Sequence, residues 1–184
     1  MGVEFTEVMK GTVALADGGA DEACKFELTI SVDDVDAHFD DPAHWGSAVG
    51  FVDCDLFGGE REVTAGRFKL FDSVSDPKRR AMRYALPFTD GAGNPVELVG
   101  MKDVGDDPGM DLWKDTTTLF TRICSGHEAG LYEATSNPVL AEGVITIAID
   151  DFVEQLSTFR GNPLDIARFV YRFNQTLGSV YLKG

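Results

Sequence analysis

The stretch "FELTISV" (residues 26–32) decides the fold. Phe26, Leu28, Ile30 and Val32 alternate with Glu27, Thr29 and Ser31. A period of two belongs to a strand with one dry and one wet face. "MRYALPF" (82–88) repeats it, with Met82, Tyr84, Leu86 and Phe88 on one side and Pro87 on the other, as at a sheet edge or bulge. Weaker strands are expected at "GTVALA", "SAVGFVDCDL", "AGRFKLF", "PVELVGM", "TTLFTRI" and "GVITIAI".

Turn chemistry separates these runs. Gly58-Gly59 marks a tight hairpin, and "TDGAGNPV" (89–96) packs Asp, Gly, Asn and Pro into one short connection. Short strands in succession predict an antiparallel meander, and no strand–helix alternation supports a doubly wound α/β sheet. At the C-terminus, Asn162 and Pro163 open a helix over about residues 163–177, with Ile166, Phe169, Val170, Phe173 and Leu177 on one stripe and Gly178 as its stop. "TISVDDVDAHF" (29–39) and "TIAIDDFVEQL" (146–156) echo each other as a strand entering a short helix, their paired aspartates reading as caps. The expected architecture is one domain over 1–184. It is mainly β: an antiparallel up-and-down β-barrel of about eight to ten strands, lipocalin-like (calycin-like) in general form, with the helix packed outside. A two-sheet β-sandwich is the alternative.

Composition narrows function by exclusion. The 184 residues are 43% hydrophobic and carry a net charge of −15, which disfavours nucleic acid and anionic bilayers as partners. No apolar run is long enough to span a membrane, and the N-terminus lacks a secretory leader, so a cytoplasmic location is expected. Cys24, Cys54 and Cys124 are odd in number and far apart, and read as buried free thiols.

Motifs for chemistry are sparse. "GAGNPV" has Val96 where a dinucleotide loop needs its third glycine. Ser47 lacks the nucleophile-elbow context, and Cys124 with His127 lacks an orienting third group. The acidic run "GMKDVGDDPGMDLWKDTTTLFTRI" (100–123) holds Asp103, Asp106, Asp107, Asp111 and Asp115 around Trp113. As a calcium loop from Asp103 it fails, with Pro108 in place of the required Gly and Lys114 in place of the required Glu. "DDPG" reads instead as a β-turn, and the segment as an ordered loop with Trp113 plugging the barrel end. No cofactor and no metal are expected.

The segments "GFVDCDLFGGEREVTAGRFKLF", "RRAMRYALPFTDGAGNPVELVGMKDV", "DDPGMDLWKDTTTLFTRI" and "DDFVEQLSTFRG" resemble the region C-terminal to the flavin domain in bacterial cholesterol-oxidase-like oxidoreductases of the glucose-methanol-choline group. The resemblance covers roughly residues 45–182 and supplies no catalytic motif. The chain lacks the flavin fingerprint and is too short for a flavin domain, so it resembles the appendage rather than the oxidase. That implies a module that binds a steroid-like or other apolar small molecule, or docks on a separate oxidoreductase.

Three functional expectations follow. The first is a non-catalytic binding or accessory module, with Phe51, Phe68, Tyr84, Phe88, Trp113 and Phe120 as candidate ligand contacts and Phe26 as a further core aromatic. The second is an enzyme using acids gathered at one barrel mouth: Asp53, Asp55, Asp103, Asp107 and Asp111. Asp53 and Asp55 are expected to be solvated. The third is an acidic docking domain for a basic partner. The residues favour the non-catalytic reading.

Overall fold

A computed structural model describes residues 2–106 and 112–181. Six antiparallel strands come first: β1 (Val3–Leu15), β2 (Glu22–Val32), β3 (Gly46–Cys54), β4 (Gly59–Ser73), β5 (Arg79–Thr89) and β6 (Pro95–Gly105). β7 (Thr118–Ser125) follows, then a small hairpin of β8 (Gly130–Leu131) and β9 (Ala134–Thr135), and then β10 (Val139–Thr146). Each long strand pairs with its neighbour in the chain, and β10 returns to β1, from Lys10↔Thr146 to Leu15↔Ala141. The sheet is therefore a closed, eight-stranded, up-and-down barrel. A sandwich is ruled out because β1 is bonded on both sides, by β2 and by β10. β11 (Arg160–Gly161) adds a short outside strand against Val3 and Glu4.

All eight strand signals in the sequence fall on barrel strands. β1 begins eight residues before the "GTVALA" signal, because Glu7 interrupts the apolar file Val3, Phe5, Met9, Val13. Pro87 sits where β5 has lost its β4 partner, since those two strands bond only as far as Ala85. That is the position a residue without an N–H tolerates.

Chain direction sorts the connections. β2, β6 and β10 all finish at one rim, so the α-helices among the described residues gather there: α1 (Val35–Asp40), α2 (Leu112–Thr117), α3 (Ile149–Ser157) and α4 (Pro163–Tyr181). The opposite rim holds the tight turns and is packed shut, with Phe57 edge-on to Phe88 at 6.4 Å. Gly58, at φ 91°, lets two of those turns meet, for a Cβ on it would lie 2.6 Å from Gly91 Cα.

Helix boundaries follow their caps in part. Asp34 Oδ1 accepts the Ala37 N–H at 2.9 Å and caps α1. Asp150 and Asp151 are not caps: they lie in the first turn of α3, behind Ala148, where their charge favours the helix N-terminus. Asn162 Oδ1 accepts the Leu164 N–H at 2.9 Å and starts α4 as expected. α4 runs through Gly178 to Tyr181, four residues beyond the expected end, because Leu177, Val180 and Tyr181 still have apolar surface to cover.

α4 is not packed on the outer wall. It lies over the helical rim, with Phe169 against Phe5 of β1 (6.0 Å) and Phe39 of α1 (5.8 Å), and Phe173 against Phe71 of β4 (5.1 Å). Arg172 ties it to Asp36 and Asp40 of α1, and the Tyr181 hydroxyl donates to Asp115 of α2. Beneath α1, Lys69 is 2% exposed and donates to the carbonyls of His38, Asp41 (2.7 Å) and His44 (3.1 Å).

Candidate functional site

Below the helices the packed barrel core gives way to a cavity. A cavity of about 730 Å³ lies between the inward faces of β1, β4, β5 and β6 and the undersides of α2, α3 and α4. Its volume falls within the roughly 300–1,000 Å³ range of small-molecule pockets. The walls are predominantly apolar. Phe5, Phe68, Leu70 and Met82 come from strands, Trp113 from α2, Phe152 and Leu156 from α3, and Phe169 and Phe173 from α4.

Six polar side chains interrupt this lining: Thr116 and Asn174 donate to carbonyls of their own helices, and the other four form one cluster. Glu7, at an inward position of β1, is 3% exposed; Lys102, inward on β6, is 2% exposed. Glu7 Oε2 accepts from Lys102 Nζ at 3.2 Å, and Glu7 Oε1 accepts from the Tyr84 hydroxyl at 2.6 Å. Gln155 of α3 donates Nε2–H to Glu7 Oε2 at 3.4 Å, and its own Oε1 is buried with no hydrogen-bond partner among the described residues. The Lys102 ammonium also sits 5.2 Å from the centroid of the Tyr84 ring. A buried ion pair of this kind is costly to desolvate, and hydrogen bonds to both carboxylate oxygens offset that cost. Burial pulls the Lys102 pKa below the ordinary amine value against the opposing pull of Glu7. Burial also pushes the Tyr84 phenol well up, and the neighbouring Glu7 carboxylate pushes it further. Tyr84 is thus a neutral hydrogen-bond donor.

The candidate contacts divide. Phe68 and Tyr84 line the cavity, and so does Trp113, edge-on to Phe152 at 4.9 Å and 38% exposed at the rim. Phe88 is inward but belongs to the packed opposite end beside Phe57. Phe51 and Phe120 point outward and are 44% and 37% exposed, because each alternates out of phase with its strand's buried residues. These three do not meet the others.

The candidate acids do not converge either. Asp53 and Asp55 are exposed at the turn-bearing rim, whereas Asp103 lies near the helical rim outside the barrel. Asp103 is occupied there by the Arg79 guanidinium, at 3.0 Å (Nε) and 2.6 Å. Asp106 is exposed; Asp107 and Asp111 lie outside the described residues. Asp115 is buried and accepts from Tyr181. Among the described residues no group of three His, Cys, Asp or Glu side chains is placed to hold a metal ion. The three cysteines are free and buried; Cys24 and Cys54 face each other across β2 and β3.

No protein-family model, curated protein or solved structure matches this chain. No helix among the described residues is long and apolar enough to cross a membrane.

The site residues that the motif search missed are Glu7, Lys102 and Gln155. For two of them a signal existed. Glu7 is in phase with Phe5 and Met9, and Lys102 is in phase with Leu98 and Val104. A charge at an inward position of an otherwise apolar file is the mark of a buried polar site.

Proposed function

We propose that this protein is a non-catalytic binding module for an apolar small molecule bearing one uncharged polar group. The carrying observation is the 730 Å³ apolar cavity with the Glu7–Lys102–Tyr84 cluster as its polar patch. The apolar body would displace water from the Phe5, Phe68, Phe152 and Phe169 walls, burying surface worth roughly 25 cal/mol per Å². The polar group would lie against the cluster, where Gln155 Oε1 supplies a free acceptor and Lys102 has N–H donors to spare.

Charge accounting favours a neutral ligand. Glu7 already balances Lys102, so a carboxylate ligand would bring an unpaired buried charge. A hydroxyl or carbonyl adds none. A sterol-like molecule meets this description, in keeping with the resemblance of residues 45–182 to the appendage region of cholesterol-oxidase-like enzymes. Calorimetric titration with 1-decanol and with decanoate tests the reading. Binding of 1-decanol at least roughly tenfold tighter supports it, a gap of only about 1.4 kcal/mol. Equal or tighter binding of decanoate contradicts it.

A further inference from the structure

The feature that simple binding leaves over is an amine in an apolar cavity. Lys102 faces the cavity, and among the described residues Glu7 is its one hydrogen-bond acceptor. A lysine that only balanced charge would serve as well beneath a filled core. Here Lys102 is part of a cavity wall, and the Glu7 carboxylate beside it accepts from the Tyr84 hydroxyl.

We propose that Lys102 captures apolar aldehydes reversibly as imines within the barrel. This deepens the binding reading and rests on it, naming the ligand class as an aldehyde on a hydrocarbon body.

The chemistry closes on the residues present. Glu7 takes a proton from the Lys102 ammonium across their 3.2 Å contact, freeing the nitrogen lone pair. That pair attacks the aldehyde carbon, a C–N bond forms, and the carbonyl oxygen takes up a proton. The nitrogen loses its second proton, the hydroxyl is protonated and leaves as water, and the C–O bond breaks. Ammonium plus aldehyde has become a protonated imine plus one water, with Glu7 again a carboxylate and no oxidant or reductant consumed. Glu7 shuttles the protons, and Tyr84, donating to Oε1 at 2.6 Å, holds the carboxylate toward Lys102. Desolvation of the amine in apolar surroundings is a known route to activating a lysine, and the lowered pKa of Lys102 agrees with it. The other described lysines lack this setting. Lys10 and Lys25 are on the surface, each paired with an acid, Lys78 and Lys114 are exposed, and Lys69 is enclosed by three backbone carbonyls.

The test uses the full chain incubated with decanal and sodium cyanoborohydride, which reduces an imine to a stable secondary amine. Peptide mapping should find alkylation at Lys102 at least roughly tenfold faster than at Lys10 or Lys25, since the cavity holds aldehyde and amine together. Excess 1-decanol should suppress the Lys102 label and leave the surface labels unchanged. Lys102→Arg should abolish it, and Glu7→Gln should slow it about tenfold or more. Should 1-decanol bind while decanal labels Lys102 no faster than Lys10, the imine inference is overturned and the binding reading stands. If 1-decanol fails to bind and Lys102 is not labelled, both fall. Because the wild-type comparison needs no variant, the test survives any variant that does not fold.

Discussion

Glu7 and Lys102, ninety-five positions apart, meet at 3.2 Å inside the barrel with their side chains 5% and 2% exposed. The closed sheet brings them together: β1 and β6 are not neighbours, so the contact crosses the lumen. An ion pair across the interior of an apolar barrel is the least expected element of this core. It is also the element on which the proposed site depends.

Removing one partner should cost more than removing both. Lys102→Ala leaves the Glu7 carboxylate buried and unbalanced, and should lower unfolding free energy by about 3–5 kcal/mol. The pair Glu7→Leu with Lys102→Met should recover most of that loss. Urea unfolding of the single and double variants measures both, and a double variant as unstable as the single would count against the ion-pair account.

The lid of the cavity should depend on Phe169. It is 4% exposed and packs on Phe5, Phe39 and Phe159. Phe169→Ala should destabilise the protein by about 3 kcal/mol. Thermal unfolding with and without 1-decanol should also show weaker stabilisation by the ligand, because the wall it packs against has been cut away.

Stability should fall on mild acidification, and His38 should account for much of the fall. Its ring is fully buried, its Nε2 accepts the Leu70 N–H at 3.2 Å, and burial with the Lys69 charge lowers its pKa to about 4. His44 and Asp33 are the other titratable groups that act on it. The unfolded chain takes up a proton near pH 6.5 that the folded one refuses until about pH 4. The contribution is therefore fully present above pH 6.5 and is lost as pH drops toward 4, a loss of about 3 kcal/mol at 1.36 kcal/mol per unit. His38→Gln, whose side-chain oxygen can still accept from Leu70, should flatten the slope of stability against pH across that window.

The thiols should be silent in the native state. Cys54 is lowered to about 7 by the hydrogen bond from Cys24, which would make an accessible thiol reactive, but both are 1% exposed and Cys124 is fully buried. A bulky thiol reagent at pH 8 should modify none of the three until the protein is denatured. Rapid native labelling of Cys54 would show that β2 and β3 open locally.

Much of the fold was legible in the sequence, while the site was legible only in phase. "FELTISV" and "MRYALPF" show their dry faces directly, and their strands are β2 and β5. Closure was not readable from any one strand, because it depends on Lys10–Leu15 finding Ala141–Thr146 across the whole chain. The position of α4 was hidden for a related reason. Its apolar stripe shows that it covers something, and only strand direction shows that the surface is the barrel's open rim. The dense acidic run drew the search for chemistry, yet its described members are spent on Arg79, on Tyr181 and on solvent. Glu7 and Lys102 are isolated in the sequence and carry no motif, and only their place in the inward files of β1 and β6 marks them.

The most direct measurement is calorimetric titration with primary alcohols of increasing length, from 1-hexanol to 1-decanol. Each methylene buried in the cavity should contribute about 0.8 kcal/mol, close to fourfold in Kd, so the two ends should differ by about two hundredfold. The heat capacity change should be negative and grow with chain length. Absence of binding, or affinity that does not change with length, would contradict the claim that the barrel holds an apolar ligand.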